Sequence, residues 1–200
     1  MYAEVPPSGF DVVEADDVEE GWEDAWRDFH HGVRVGRLWV GPPWDKPPDG
    51  ALAVVIDPGR AFGTGAHPTT RLCLELLQEA EPASLLDVGS GSGVLSIAAA
   101  KLGFAPVSAV DLDETAREVT AANARANGVA VEVVEELVPA DLALMNIALD
   151  VVERMLPELQ VERAITSGYL DRDEPRVAGW HRVERRVRDG WAADLLELRP

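Results

Sequence analysis

The sequence predicts an α/β domain in which a mostly parallel sheet carries helices on both faces and ends in an antiparallel hairpin. Three observations carry this expectation. From Ala51 onward, short apolar runs alternate with segments of helical period, as in parallel sheets covered on both sides. The glycine-rich turn in LLDVGSGSG (85–93) joins one such run to a helix, at the place where open α/β sheets receive ligands. The closing HRVERRVRDGWAADLLEL (181–198) is two alternating runs joined by Asp189-Gly190, a strong two-residue hairpin signal.

The elements follow in order. Asp16 to Phe29 carries Val18, Trp22, Trp26 and Phe29 on one helical face, and VRVGRLWV (33–40) alternates like a strand. The proline-rich turn PPWDKPPDG (42–50) then separates an arm, residues 1–50, from a domain, residues 51–200. Tryptophans 22, 26, 39 and 44 lie in the arm and are expected to form the apolar seam that docks it. LAVVI (52–56) is a short strand, and Pro68 to Glu79 a helix with proline suited to its first turn. SLLDV (84–88) and VSAVD (107–111) are strands flanking Val94 to Leu102, a helix apolar nearly all round. Asp113 to Asn127 is a helix with acids in its first turn and Gly128 as its stop. VEVV (131–134), DLALMN (141–146) and RAITS (163–167) are strands, with a helix over Leu149 to Leu159.

Composition limits the function classes. Two hundred residues, 46% hydrophobic, suffice for one well-filled domain with a short appendage. A net charge of −18 with no Lys/Arg-rich segment argues against direct nucleic-acid binding. Such acidity suits a basic protein or a small cationic substrate, and equally plain solubility. Cys73 is the one cysteine, so a reducing, cytoplasmic setting is expected. Neither a leader-like start nor an apolar run of membrane-spanning length is present, so no membrane partner is expected.

The candidate site is a nucleoside site without a phosphate grip. Gly89, Gly91 and Gly93 form G-x-G-x-G, and Val94 stands where a dinucleotide fingerprint turns differently. Asp111 ends the next strand, 22 residues after Gly89, where a carboxylate can accept hydrogen bonds from both ribose hydroxyls. An exposed strand-end acid or a helix cap is the plainer reading of Asp111, though Asp113 suits the cap better. The stretch DPGRAFGTGAHPTT (57–70) is too rich in glycine and threonine for an ordinary surface loop. No acid or second histidine stands at ligand spacing from His67, so no metal is expected.

Taken in order, DPGRAFGTGAHPTT, LLDVGSGSGVLSIAAAKLG, AVDLDETA, ANARANGV, ADLALMNI and TSGYL resemble PrmA-type ribosomal protein methyltransferases over nearly the whole chain. WEDAWRDFHHGVRVGRLWVGPPW (22–44) is similar to that family's linker. The resemblance implies the class I S-adenosylmethionine-dependent methyltransferase fold, a Rossmann-like sheet of seven strands. It implies a protein amine N-methyltransferase acting on a lysine side chain or a terminal amine, with a large-subunit ribosomal protein as partner. By the same resemblance Thr70 contacts the cofactor, Gly89 lies against its methionine part, Asp111 holds the ribose and Asn146 lines the floor near the reactive methyl. Phe62 and His67 wall the site, and residues 57–70 form a lid. Gly63, Thr64, Asp87, Gly91, Gly93 and Leu112 complete the expected cofactor-binding set, with Asn146 and His67 as the catalytic pair. The plainer readings are a strand-end turn residue for Asn146 and a helix cap or hydrogen-bonded wall for His67.

An amine must be neutral to attack a methyl group. Deprotonating a lysine at pH 7 costs about 4.6 kcal/mol, a terminal amine only about 1. The residues offer no compelling general base, so the proton is expected to leave to water before alignment. The chain departs from the family pattern in three places. Few residues precede the first helix, so the substrate-recognition lobe usual ahead of the linker is expected to be missing. Ala148 stands for a leucine and Tyr169 for an isoleucine, where substrate is expected. The link from Glu135 to Ala140 is short. A small-molecule methyltransferase and a non-catalytic cofactor-binding module remain open alternatives on the same scaffold.

Overall fold

The structure, a computed structural model, describes residues 31–57 and 65–199. The helix expected over 16–29, with Trp22 and Trp26, and the loop residues Phe62, Gly63 and Thr64 lie outside the described residues. Two sheets are present among the described residues. The smaller holds β1 (Val33–Val35), β2 (Leu38–Gly41) and β3 (Leu52–Val55), with β1 and β2 antiparallel and β2 and β3 parallel.

One expectation needs correction here. VRVGRLWV is two strands, because Gly36 adopts φ +57° and, with Arg37, turns the chain so that Val35 pairs with Leu38. Glycine in the first central position of a two-residue loop is a recognised hairpin signal. Of the expected tryptophan seam only Trp39 and Trp44 lie among the described residues. Val35, Leu38 and Val40 enter the main core, whereas Trp39 packs its ring against Gly32 and Gly41, and Trp44 is exposed. Alternation along a strand forces this, since residue 39 faces away from 38 and 40.

The larger sheet has seven strands. They are β4 (Leu85–Val88), β5 (Val107–Val110), β6 (Glu132–Val134), β7 (Leu142–Asn146), β8 (Arg163–Leu170), β9 (Trp180–Arg188) and β10 (Trp191–Leu198). Their spatial order is β6-β5-β4-β7-β8-β10-β9. Every pair from β6 to β8 is parallel, and β10 is antiparallel to both β8 and β9. The chain winds outward from β4 to β6, then returns to the middle at β7 and winds the other way. The reversal leaves a crevice beyond the carboxyl ends of β4 and β7.

Among the described residues, four helices cover the sheet. They are α1 (Pro68–Glu79), α2 (Val94–Leu102), α3 (Glu114–Ala126) and α4 (Leu149–Met155). The helix expected to continue to Leu159 tightens to a 3-10 turn over Leu156–Glu158, where Pro157 cannot supply the amide an α-helix needs. One core lies under α1 and α2 and includes Leu74, Leu77, Ile97, Leu144 and Ile165. The other lies under α4 and includes Leu86, Met145, Val152 and Leu156. Asp113 caps α3 through Oδ1, which accepts from the Thr115 amide at 2.9 Å, as its sequence position predicts. The hairpin turn falls at Asp189 and Gly190, both at positive φ. No helix among the described residues is long and apolar enough to cross a membrane.

Candidate active site

The glycine turn opens the crevice. Gly89, Gly91 and Gly93 all have positive φ, which an L side chain adopts only with strain. The turn is tied to the tip of β5, where the Gly89 and Ser90 amides donate to the Val110 carbonyl at 2.8 and 3.2 Å. Asp111, the next residue, accepts from the Gly91 amide through Oδ2 at 2.9 Å and from the Asp113 amide through Oδ1 at 3.0 Å. Each carboxylate oxygen keeps a further acceptor direction. Leu112 beside it is 99% exposed, an apolar side chain held at the tip of the strand with nothing covering it.

Asp87 lies beneath the turn, fully buried. Its Oδ2 accepts from both the amide and the hydroxyl of Ser96, at 3.1 and 2.5 Å. Burial pushes its carboxyl up to about 6, the Ser96 bonds opposing this and the Asp111 charge adding to it. Asp87 therefore braces the turn from behind, and α2 begins where that brace fastens.

Helix α3 supplies braces that the spacing of glycines and acids did not reveal. Thr120 Oγ1 donates to the Gly91 carbonyl at 3.1 Å, Ser90 and Thr120 hydroxyls are 3.1 Å apart, and Asn123 Nδ2 donates to the Ser92 carbonyl at 2.9 Å. A Cβ at residue 93 would stand 3.0 Å from Thr120 Cγ2. The available signal was a pair of polar residues three apart on the face that carries Ala116 and Ala124, the buried side of a mostly exposed helix, which meet one surface.

The far wall comes from α1 and β7. Thr70, buried in the first turn of α1, accepts from Asn146 Nδ2 at 3.3 Å across 76 positions of sequence. His67 is the cap of α1: its Nδ1 faces the Thr69 hydroxyl at 2.8 Å and accepts from the Thr69 amide at 3.4 Å. With Nδ1 accepting, the neutral ring carries its hydrogen on Nε2. The ring also meets Trp191 edge-on, centroids 4.9 Å apart at 71°. Ile147, after Asn146, fills the space between the two halves of the crevice. A Cβ on Gly89 would stand 2.6 Å from Ile147 Cγ2, and one on Gly168 would run into the Ile147 carbonyl oxygen. The geometry thus unites Thr70, Asn146 and His67 on one side with Gly89, Gly91, Gly93, Asp87, Asp111 and Leu112 on the other.

Residues 8–193 match the family described as Ribosomal protein L11 methyltransferase (PrmA). The chain belongs to that family. A ribosomal protein L11 methyltransferase of Symbiobacterium thermophilum is 38% identical over 98% of this chain and 70% of its own length. One of Geotalea uraniireducens is 41% identical over 76% of this chain and 56% of its own. The solved structure of a ribosomal protein L11 methylase from Lactobacillus delbrueckii subsp. bulgaricus superposes with a TM-score of 0.74 at 26% identity, covering 85% of this chain and all of that one. An RNA methyltransferase from Salinibacter ruber, solved with S-adenosyl-L-homocysteine, shares the fold at a TM-score of 0.52 and 20% identity. The fold is that of class I S-adenosylmethionine-dependent methyltransferases, as its strand order and terminal hairpin show. Members of the family are enzymes that methylate protein, and this chain is one of them.

Proposed function

We propose that the chain moves a methyl group from S-adenosylmethionine to an amino group of a large-subunit ribosomal protein, the target named for its relatives. The observation that carries the site assignment is the Asn146–Thr70 bridge, which sets a polar floor at the sheet's switch point beside the glycine turn. The residues present fit the cofactor. The turn keeps its backbone bare where Cβ atoms would intrude, Asp111 has acceptor capacity for a ribose, and Leu112 offers an apolar cover for a base. Gly89, Gly91, Gly93 and Asp111 would hold it, with Thr70 and Asp87 behind them. When bound, S-adenosylmethionine supplies an activated methyl on a sulfonium.

The protein's own task is alignment and exclusion of water. Asn146 spends its Nδ2 on Thr70, so its Oδ1 is the end that accepts from an incoming amine and points the nitrogen lone pair. His67 and Trp191 wall the approach rather than take the proton, because protonating His67 at Nδ1 would break the cap of α1. The amine loses its proton to water before it is aligned. Residues 51–200 are assigned to the catalytic domain and residues 1–50 to an arm, of which the β1–β2 pair adds onto β3 and shares the main core.

The test is labelled-methyl transfer from S-adenosylmethionine into a cell extract that contains both ribosomes and metabolites, followed by mass spectrometry of the labelled species. One labelled ribosomal protein modified on an amine is expected. Label appearing only in metabolites would sink the proposal in favour of a small-molecule acceptor.

A further inference from the structure

Tyr169 and Asp194 form a buried polar cluster that methyl transfer, as described above, does not use. Tyr169 is 3% exposed and Asp194 0%. The Tyr169 hydroxyl donates to Asp194 Oδ2 at 2.9 Å and lies 2.8 Å from the Thr166 hydroxyl. A phenol has one hydrogen, so with the carboxylate taking it the Thr166 hydroxyl donates in turn. Burial and the Asp194 charge push the Tyr169 phenol far upward, which keeps it a donor. Asp194 Oδ1 has no hydrogen bond, and the Nε atoms of Arg185 and Arg182 stand 3.6 and 3.9 Å from it.

Such a cluster is expensive in a core, and an isoleucine at residue 169 would avoid it. Its position suggests what it does. Between Ser167, paired with Ala193, and Tyr169, paired with Ala192, Gly168 is an extra residue in β8, a bulge at φ +100°. The Tyr169 hydroxyl, tied back to Thr166 on one side, and the Ser167 hydroxyl, donating to the Ala192 carbonyl at 2.6 Å on the other, span that bulge. The bulge passes so close to Ile147 that a Cβ on Gly168 would run into its carbonyl oxygen, and the Ile147 amide donates to the Ser167 carbonyl at 3.1 Å. Bulges next to sites commonly re-aim a side chain.

We propose that Tyr169 is a positioning residue for the acceptor amine: through Asp194 and Thr166 it fixes the Gly168 bulge, which sets the Asn146–Ile147 turn and the aim of the Asn146 amide. The inference rests on the role given to Asn146 above. The Tyr169–Asp194–Thr166 cluster makes no hydrogen bond to the glycine turn or to Asp111, so it meets the cofactor side only through Ile147 and the Asn146–Thr70 bridge.

The experiment is a double-mutant cycle on the full chain, with large-subunit ribosomal protein extract as acceptor and affinity for S-adenosylhomocysteine measured by calorimetry. All rates are taken below each variant's melting temperature. Tyr169→Phe is expected to lower kcat about tenfold, the scale of a sub-ångström misplacement, with S-adenosylhomocysteine affinity within about twofold of the parent. In an Asn146→Ala background the same change is expected to have no further effect. Asp194→Asn serves as the second variant should Tyr169→Phe fail to fold, with the same outcome expected. A full rate in a folded variant, or an equal loss with and without Asn146, overturns the inference while leaving the site intact. A full rate for Asn146→Ala alone removes the site reading itself, and this inference with it.

Discussion

The Asn127 side chain bonds to Val55 as a neighbouring strand would. Its Oδ1 accepts from the Val55 amide at 2.9 Å and its Nδ2 donates to the Val55 carbonyl at 2.6 Å, while Nδ2 also donates to the Asn123 carbonyl at 2.9 Å. The end of α3 thereby completes the open edge of β3, the strand from which the 57–70 loop departs. Asn127→Leu leaves both Val55 groups unpaired and is expected to lower stability by about 2 to 3 kcal/mol. The midpoint of urea unfolding at constant m-value measures this; an unchanged midpoint would show that water replaces the side chain at no loss.

Two glycines at positive φ should respond differently to alanine. At Gly168 the new Cβ meets the Ile147 carbonyl, whereas at Gly190 nothing lies within 4 Å. Gly168→Ala is expected to cost roughly 2 kcal/mol or more and Gly190→Ala about 1, from backbone strain alone. Thermal unfolding of the pair gives the comparison, and equal losses would refute the close approach at Gly168.

Asp111→Ala removes the group proposed to hold the ribose. S-adenosylmethionine affinity is expected to fall by about 1 to 3 kcal/mol, read by calorimetry. Unchanged affinity would take Asp111 out of the site.

Asp87 makes a pH prediction with a definite sign. Its folded carboxyl is raised from 3.8 to about 6, so between those values the folded state holds the proton that the unfolded state has released. The contribution of Asp87 therefore falls as pH rises from about 4 to 6 and is flat above, for a total of about 3 kcal/mol. Relative to the parent, Asp87→Asn is expected to gain stability across that window. Chemical denaturation at pH 4.5, 5.5, 6.5 and 7.5 follows the difference, and a difference independent of pH would contradict the raised carboxyl.

His67→Ala separates a wall from a base. The rate is expected to fall while the pH–rate profile keeps its shape. Loss of a near-neutral limb in the variant alone would make His67 the base after all.

Much of this was legible in the residue order. The helix limits at Pro68 and Glu79 and at Val94 and Leu102 match the spacing of apolar positions, and the Asp189-Gly190 hairpin declared itself by residue type. The hairpin in VRVGRLWV did not: it reads as one strand, although the apolar positions shift at Gly36-Arg37 from 33 and 35 to 38 and 40, because a single glycine before an arginine is a weaker turn signal than Asp-Gly. Nor did the braces at Thr120, Asn123 and Asn127, since a polar side chain on a helix reads as solvated until its partner carbonyl is known.

What the sequence determined by itself was the run of elements and the two stretches that carry the proposed nucleoside site. Period, capping chemistry and the φ freedom of glycine act between near neighbours and are therefore written in order along the chain. Tertiary structure alone decided which residues meet. Asn146 finds Thr70 at a separation of 76 residues and Asn127 finds Val55 at 72, because the packing of layers sets α1 against β7 and brings the C-terminal end of α3 to the edge of β3. Contacts of that kind depend on the packing of whole layers, which no local stretch encodes.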